Sequence, residues 1–482
     1  GSPTPAFVAL VTKMNQKGLI QPPLTNGQES QEIAAMAKLL LGKSGPAGWK
    51  LPGIANSSPL LVRRVPRYDN QHLPGVGIRD PHCAGRRNTL GDDVPESLQK
   101  FAGEAWQLSS GGGLADHYDY AEAVLVGDDF GVLHAFHYDS GNELFGFLPL
   151  ALINNSRRLA LNGADNFGQP DELSEHIYGV ASTVNVGWIY DEQKQKWRHL
   201  AVFGLGPGGS ELIALDVSHM GRLQDDDPFD VLWTSSTTSM AGQYATTLGQ
   251  TWSRPALTYA VANDSLALAP KAYLVFGSGY RDGGGDPHRG RVLWRVDALT
   301  GESSSERALL PLPTTGTTFD AEDDLTAVAD VAVTSHCLSR YWGEMQEAYY
   351  ADPAGRLYRW DLAAATSDVD SFPHVADSGG KWALDDQGYA AAKEAFRFPA
   401  CQGDGDYACT IGPIAANGNK GDVFTFAPAV ISKNRIDGVD DPGSVLPLGD
   451  RDQLLIALAS GNPNDAAIDG GDDDNDFHSS IY

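Results

Sequence analysis

The pattern of apolar positions divides the chain into a short helical start and a long series of strands. Near the start, Ile33, Met36, Ala37, Leu40 and Leu41 recur at i, i+3, i+4 and i+7, the spacing of one helix face. Asn26 to Ser30 supplies capping residues ahead of this face, and Gly42 is a stop, because glycine readily takes the left-handed conformation that ends a helix. Shorter helices are predicted at Pro95 to Ala105 and at Tyr389 to Phe396.

Beyond the first helix the chain repeats itself. A strand ends in a turn rich in Gly and Asp, and a second strand follows with Leu-x-x-apolar and usually a nearby Asp. The copies run from Val124 to Gly141, Ala201 to Val217, Tyr273 to Gly301 and Ala348 to Leu362, with a fifth from Leu454 to Tyr482. Each is preceded by a further apolar strand: Ser57 to Val62, Tyr178 to Val186, Ser253 to Val261, Leu325 to Val333 and Phe424 to Ser432. The leucines at 133, 212, 293 and 357 lie 79, 81 and 64 residues apart. Such spacing is too long for a compact WD-type blade and suits a four-stranded blade with variable loops. Runs such as Ala201-Val202-Phe203 do not alternate, as expected where radially packed blades bury both sheet faces. The expectation is therefore an all-β fold, a modified β-propeller with five recognisable blades and helical insertions. Residues 1–50 form an N-terminal extension with its helix, and residues 51–482 form the propeller.

Composition fits this reading. The 54 Gly and 28 Pro among 482 residues favour many turns, and 17 Phe, 17 Tyr and 10 Trp supply a large core. A net charge of −27 repels polyphosphates and anionic lipid, so nucleic acid is not expected as a partner. The longest apolar run, Leu144 to Ile153, contains Pro149 and is too short to cross a bilayer. Gly1-Ser2 has the look of a cloning remnant, so the chain is expected to begin inside a longer one whose targeting segment lies upstream.

Candidate chemistry is sparse. Gly204-Leu205-Gly206-Pro207-Gly208-Gly209 satisfies G-x-G-x-x-G, yet a strand follows where a dinucleotide site needs a helix, so it reads as a turn. Gly42-Lys43-Ser44 follows a helix and lacks the first glycine of a phosphate loop. HExxH, CxxC and GxSxG do not occur. Calcium is a candidate ligand at two turns, each matching part of an EF-type loop: Asp437 and Asp441 around Gly438, and Asp282 and Asp286 around Gly283. Lys433, Arg435, Ser278 and Tyr280 occupy the positions where further carboxylates belong. Of four cysteines, Cys401 and Cys409 flank a short loop whose closure as a disulfide would stabilise by roughly 2.5 kcal/mol, and such a bridge points to an oxidising compartment. For Cys83 and Cys337, each preceded by a histidine, a second disulfide, two buried thiols or a zinc site remain open.

With the repeat in hand, the chain resembles the C-terminal propeller of the PilC/PilY family of type IV pilus tip-associated proteins. Ile33 to Gly42 followed by Ala55 to Val62 resembles that family's helix and first strand. Val126-Gly127-Asp128-Asp129-Phe130-Gly131-Val132-Leu133-His134-Ala135-Phe136 resembles its most recognisable segment, and Glu143 to Pro149 follows in the same order. Gly204 to Val217, Arg254-Pro255 with Val275 to Tyr280, and Tyr350 to Leu362 continue the likeness. The resemblance implies about seven blades in the full protein and a non-catalytic role in pilus biogenesis and adhesion, with no catalytic residues and no firm cofactor. It further implies docking to minor pilins at the pilus tip, loops presented to a surface or host receptor, and a place on the outer surface of a Gram-negative bacterium. Twitching motility and virulence belong to the same expectation. Two departures stand out. His336 to Glu344 lacks the alternating carboxylates of the family's calcium loop, and family chains continue beyond the segment matching Phe477 to Tyr482. A rival class is the quinoprotein dehydrogenase propeller: Ala135 to Gly141 and Arg295 to Gly301 resemble its tryptophan-docking repeat. That repeat is structural, and the adjacent-cysteine disulfide of many such enzymes is missing.

Overall fold

A computed structural model of the chain describes residues 5–21, 23–24, 29–40, 53–54, 56–62, 123–162, 177–194, 196–218, 220, 228–260, 271–280, 289–290, 292–303, 307–309, 329–337, 343–351, 357–362, 373–376, 382–384, 429–432 and 454–457. Strands dominate, and they form consecutive antiparallel meanders. Blade 1 consists of β1 (Leu60–Val62), β2 (Ala123–Gly127), β3 (Leu133–His137) and β4 (Glu143–Phe147), each paired with the next. Blade 2 holds β5 (Asn185–Asp191), β6 (Lys196–Gly204), β7 (Leu212–Asp216) and β8 (Asp230–Thr234). Blade 3 holds β9 (Ala256–Ala260), β10 (Lys271–Gly277), β11 (Val292–Asp297) and β12 (Arg307–Leu309). Blade 4 has five strands: β13 (Ala332–Cys337), β14 (Gly343–Ala351), β15 (Leu357–Asp361), β16 (Pro373–Ala376) and β17 (Trp382–Leu384). A fifth sheet is described by β18 (Ala429–Ser432) paired with β19 (Leu454–Ala457).

The first strands of successive sheets touch one another, β5 to β9, β9 to β13 and β13 to β18. They therefore lie innermost, and the later strands fan outward, which is the propeller arrangement. Blade 2 shows why its strands do not alternate. Ala201, Phe203, Ile213 and Leu215 join a core with Leu125, Leu133, Ala135 and Phe145 of blade 1. The intervening Leu200, Val202, Leu212 and Ala214 join another core with Leu274, Phe276, Trp294 and Val296 of blade 3. The far face of blade 3 repeats the scheme, with Val275 and Leu293 against Ala348 and Tyr350 of blade 4.

The strand–turn–strand copies coincide with β2–β3, β6–β7, β10–β11 and β14–β15. The strands expected ahead of them are shorter than the apolar runs. Residues 178–184 carry no strand, and β5 begins only at Asn185. The reason lies in the backbone bonds: the Val180 amide donates to the Asp128 carbonyl at 2.9 Å and the Ala181 amide to the Leu205 carbonyl at 3.2 Å. Those donors serve the turns of blades 1 and 2, so the segment is a crossing linker. Similarly, β13 begins at Ala332, and the described residues 329–331 ahead of it carry no strand.

The predicted N-terminal helix is α2 (Glu29–Leu40). Two further helices were not anticipated in its neighbourhood: α1 (Pro5–Gln16), and α3 (Ile153–Asn162), which follows a short 3-10 turn at Leu150–Leu152. The three share a core of Val11, Met14, Ile20, Leu24, Ile33, Met36 and Ile153. A buried ion pair, Arg157 Nη2 to Glu32 Oε2 at 2.7 Å, ties α3 to α2. A short helix, α4 (Ala241–Thr247), follows β8. The helices expected at 95–105 and 389–396 lie outside the described residues, as do Cys83, Cys401, Cys409, Asp282, Asp286, Asp437 and Asp441.

Candidate functional site

The glycine-rich turns are packing devices. The second strands of blades 1, 2 and 3 end in a glycine, and in blades 1 and 2 the linker to the next blade crosses directly over it: a Cβ at Gly127 would collide with the Val180 carbonyl, and one at Gly204 with the Thr251 carbonyl. In the G-x-G-x-x-G segment, Gly206 has φ +58 and lies against the Ala181 carbonyl, so both its conformation and its space require glycine. Hydroxyls from the linkers cap the same strand ends. Ser57 Oγ accepts from the Gly127 amide and Ser253 Oγ from the Gly277 amide, both at 3.0 Å. Thr251 Oγ1 accepts from the Leu205 amide at 2.8 Å. The G-x-G-x-x-G match is thereby confirmed as a turn between β6 and β7.

Nearer the axis, the linkers join one another. The Ser58 amide donates to Thr183 Oγ1 at 3.2 Å, Asn185 Nδ2 donates to the Pro255 carbonyl at 2.7 Å, and the Arg254 amide donates to the Asp330 carboxylate. Ser58, Thr183, Arg254 and Asp330 each stand two residues before a first strand. That position of the repeat carries the contact from blade 1 to blade 2 and from blade 3 to blade 4, whereas Asn185 and Pro255 carry it from blade 2 to blade 3.

Blades 2 and 3 are also joined by an indole. Trp233 of β8 is 4% exposed, its Nε1 donates to the Ala298 carbonyl at 3.1 Å, and its ring lies over Gly301. Tyr244 of α4 donates from its hydroxyl to the Gly301 carbonyl at 2.7 Å and packs against Trp294 with centroids 5.1 Å apart. This is the partner of the docking repeat read at Arg295 to Gly301. The repeat joins blades and brings no reacting group with it.

Among the described residues, three buried ionic clusters remain as places for chemistry. Arg198 sits between Asp191 and Asp216, at 2.7 Å from Asp191 Oδ2 and 2.8 Å from Asp216 Oδ2. Burial alone would raise the Asp191 carboxyl; the Lys194 amide and the Arg198 guanidinium outweigh it and hold the group below its ordinary range. His199 beside them is pushed down to about 4 by burial, with the Asp216 charge opposing. In blade 1, His134 lies between two carboxylates, Nε2 at 2.9 Å from Asp128 and Nδ1 at 2.7 Å from Glu143. The third cluster is the Glu32–Arg157 pair. Among the described residues, no group of three or more His, Cys, Asp or Glu is arranged to hold a metal ion. None of the clusters includes a calcium or disulfide residue expected from the sequence, since those lie outside the described residues. The sequence reading passed over Arg198, His134 and Trp233; buried charge and the indole dock depend on partners 18 to 65 residues away or across a bulge.

Fold and interfaces together define a propeller-type protein whose buried polar groups join strands and blades. A type IV pilus biogenesis factor PilY1 homologue of Xylella fastidiosa is 34% identical over 132 residues, which is 27% of this chain and 9% of that protein. PilY1 of Pseudomonas aeruginosa, named a type IV pilus biogenesis factor, is 28% identical over 255 residues, 51% of this chain and 18% of that protein. These matches support assigning the chain to the PilC/PilY family. The matched part spans less than a fifth of each relative. The crystal structure of the Pseudomonas aeruginosa PilY1 C-terminal domain aligns with 78% of this chain and 59% of its own, at 16% identity and a TM-score of 0.41. No family model matches the chain. Among the described residues, no helix is long and apolar enough to cross a membrane.

Proposed function

We propose that the chain is the non-catalytic propeller part of a type IV pilus biogenesis factor, exported to the cell surface and working by docking. The observation that carries this reading is the sequence match to named type IV pilus biogenesis factors of two organisms. The packing agrees with it. Buried side chains and glycine turns are spent on joining blades, and the result is a stiff scaffold on which recognition falls to connecting loops. One set of loops engages minor pilins at the pilus tip, and another meets a surface or host receptor. With a net charge of −27, encounter is steered toward basic patches and weakened by salt.

The test is deletion of this region in the parent organism, read as surface piliation and adhesion, together with capture of minor pilins by the purified chain. Loss of piliation with salt-sensitive capture supports the proposal. Unchanged piliation, with substrate turnover on adding a quinone cofactor and calcium, would replace it with the quinoprotein reading.

A further inference from the structure

His134 is 6% exposed, yet both ring nitrogens face carboxylate oxygens: Asp128 Oδ2 at 2.9 Å and Glu143 Oε1 at 2.7 Å. An ionised carboxylate only accepts hydrogen bonds, and a neutral imidazole donates from one nitrogen alone. Both contacts are satisfied together only when the ring carries two protons. The local fold builds this arrangement deliberately. The register of β3 with β4 shifts at Ala135/Phe136, so that Glu143, opposite Phe136, turns its side chain back onto His134. Gly146, opposite His134 on β4, leaves the space beside the ring. On the other side Asp128 is fixed, because its Oδ1 also accepts from the Val132 amide at 2.7 Å. Opposite His134 on β2 stands Val126, and the Phe136 ring stacks beside the imidazole at 5.6 Å. Among the described residues, Asp128 and Glu143 are the two ionisable side chains acting on it.

We propose that His134 is a protonation-dependent latch that ties the outer strand β4 to the β2–β3 turn as the imidazolium and frees the Glu143 end of β4 on losing its proton. When the proton leaves to solvent, one ring nitrogen presents a lone pair to a carboxylate, and the two repel. Asp128 is 2% exposed and held by the Val132 amide, whereas the Glu143 side chain is 47% exposed. Glu143 is therefore the group that swings out to water, and with it goes the start of an outer strand. Burial lowers the histidine, but the two carboxylates together outweigh it, and the ring is held above its ordinary 6.5. The latch is closed below that value and opens as pH rises through the raised one.

Nitrogen-15 spectra of the imidazole in the whole chain test the state directly, and hydrogen exchange of the β4 amides Leu144 to Phe147 tests its consequence. We expect both ring nitrogens protonated at pH 6.5. Above the titration, β4 protection should fall by about tenfold after correction for intrinsic exchange, the factor set by one charge-assisted hydrogen bond. Glu143→Gln, which removes only the half-exposed partner, should lower the titration midpoint and keep the fold. His134→Gln should abolish the pH dependence of β4 exchange. A neutral ring at pH 6.5, or β4 exchange that follows the same pH course in Glu143→Gln as in the parent, would overturn the latch.

Discussion

Whether blades 2 and 3 are joined by the Trp233 dock is open to a double-mutant cycle with Gly301. In Gly301→Ala the new Cβ lies 2.6 Å from Trp233 Cδ2, and the residue keeps φ +68. The left-handed backbone costs an alanine about 1–2 kcal/mol, and the overpacking against a fixed indole about 1–3 kcal/mol more. Trp233→Ala removes the ring and leaves the Ala298 carbonyl without its donor, costing about 3–5 kcal/mol. In the double variant the methyl occupies space the indole has vacated, so only the backbone part of the Gly301 cost remains. The two changes should therefore couple by about 1–3 kcal/mol. Urea unfolding by circular dichroism gives the totals, and hydrogen exchange of β8 and β11 amides locates the effect at this interface. A control separates the hydrogen bond from the packing. Trp294 is fully buried and its Nε1 has no hydrogen-bond partner among the described residues. Trp294→Phe should thus cost less than Trp233→Phe, by about 1–3 kcal/mol. Additivity of the Trp233 and Gly301 changes to within about 0.5 kcal/mol would refute the dock as an energetic joint.

Arg198→Met should destabilise blade 2 by about 3–5 kcal/mol, because the buried Asp191 and Asp216 lose the guanidinium that bridges them; denaturant midpoints read this, and rescue by Arg198→Lys should be only partial. His199 sits at about 4 in the fold against 6.5 unfolded, so its contribution to stability is complete above 6.5 and is lost as pH falls toward 4. Its size is up to about 3 kcal/mol, and a His199→Leu variant should show a shallower decline of stability between those pH values. For Cys401 and Cys409, outside the described residues, intact mass after alkylation should show one pair protected until reductant is added; two alkylated thiols without reductant would remove the bridge.

Much of the blade architecture was legible because its signals are local. The glycine turn after a second strand and the Leu-x-x-apolar third strand recur in four copies, and all four fall on strand pairs of the structure. The linkers were not legible. Residues 178–184 include Val180, Thr183 and Val184, the composition of a strand, and only the destination of their amide hydrogen bonds makes them a linker. The dock was half legible: Ala298 to Gly301 was visible as a docking turn, whereas Trp233 lies 65 residues earlier than Ala298. Phe7, Val11 and Met14 of α1 have helical spacing and could have been found, but α3 begins within the apolar run at Leu144 to Ile153, where strand and helix look alike. The clamp on His134 was hidden for a different reason: it depends on a register shift between β3 and β4, which no spacing in the sequence announces.

The unequal spacing of the repeat has its explanation in the same contacts. Intervals of 79, 81 and 64 residues separate equivalent leucines, yet the linkers ahead of β5 and β9 both meet the turn of the preceding blade, Val180 at Asp128 and Thr251 at Leu205. Apolar faces require only size and placement, and the glycine turns require only the absence of a side chain. The joints themselves thus place few demands on the length of the connections between strands. The docking role proposed for this chain needs that separation, because loops that meet a partner can then change while the joints that hold them keep their geometry.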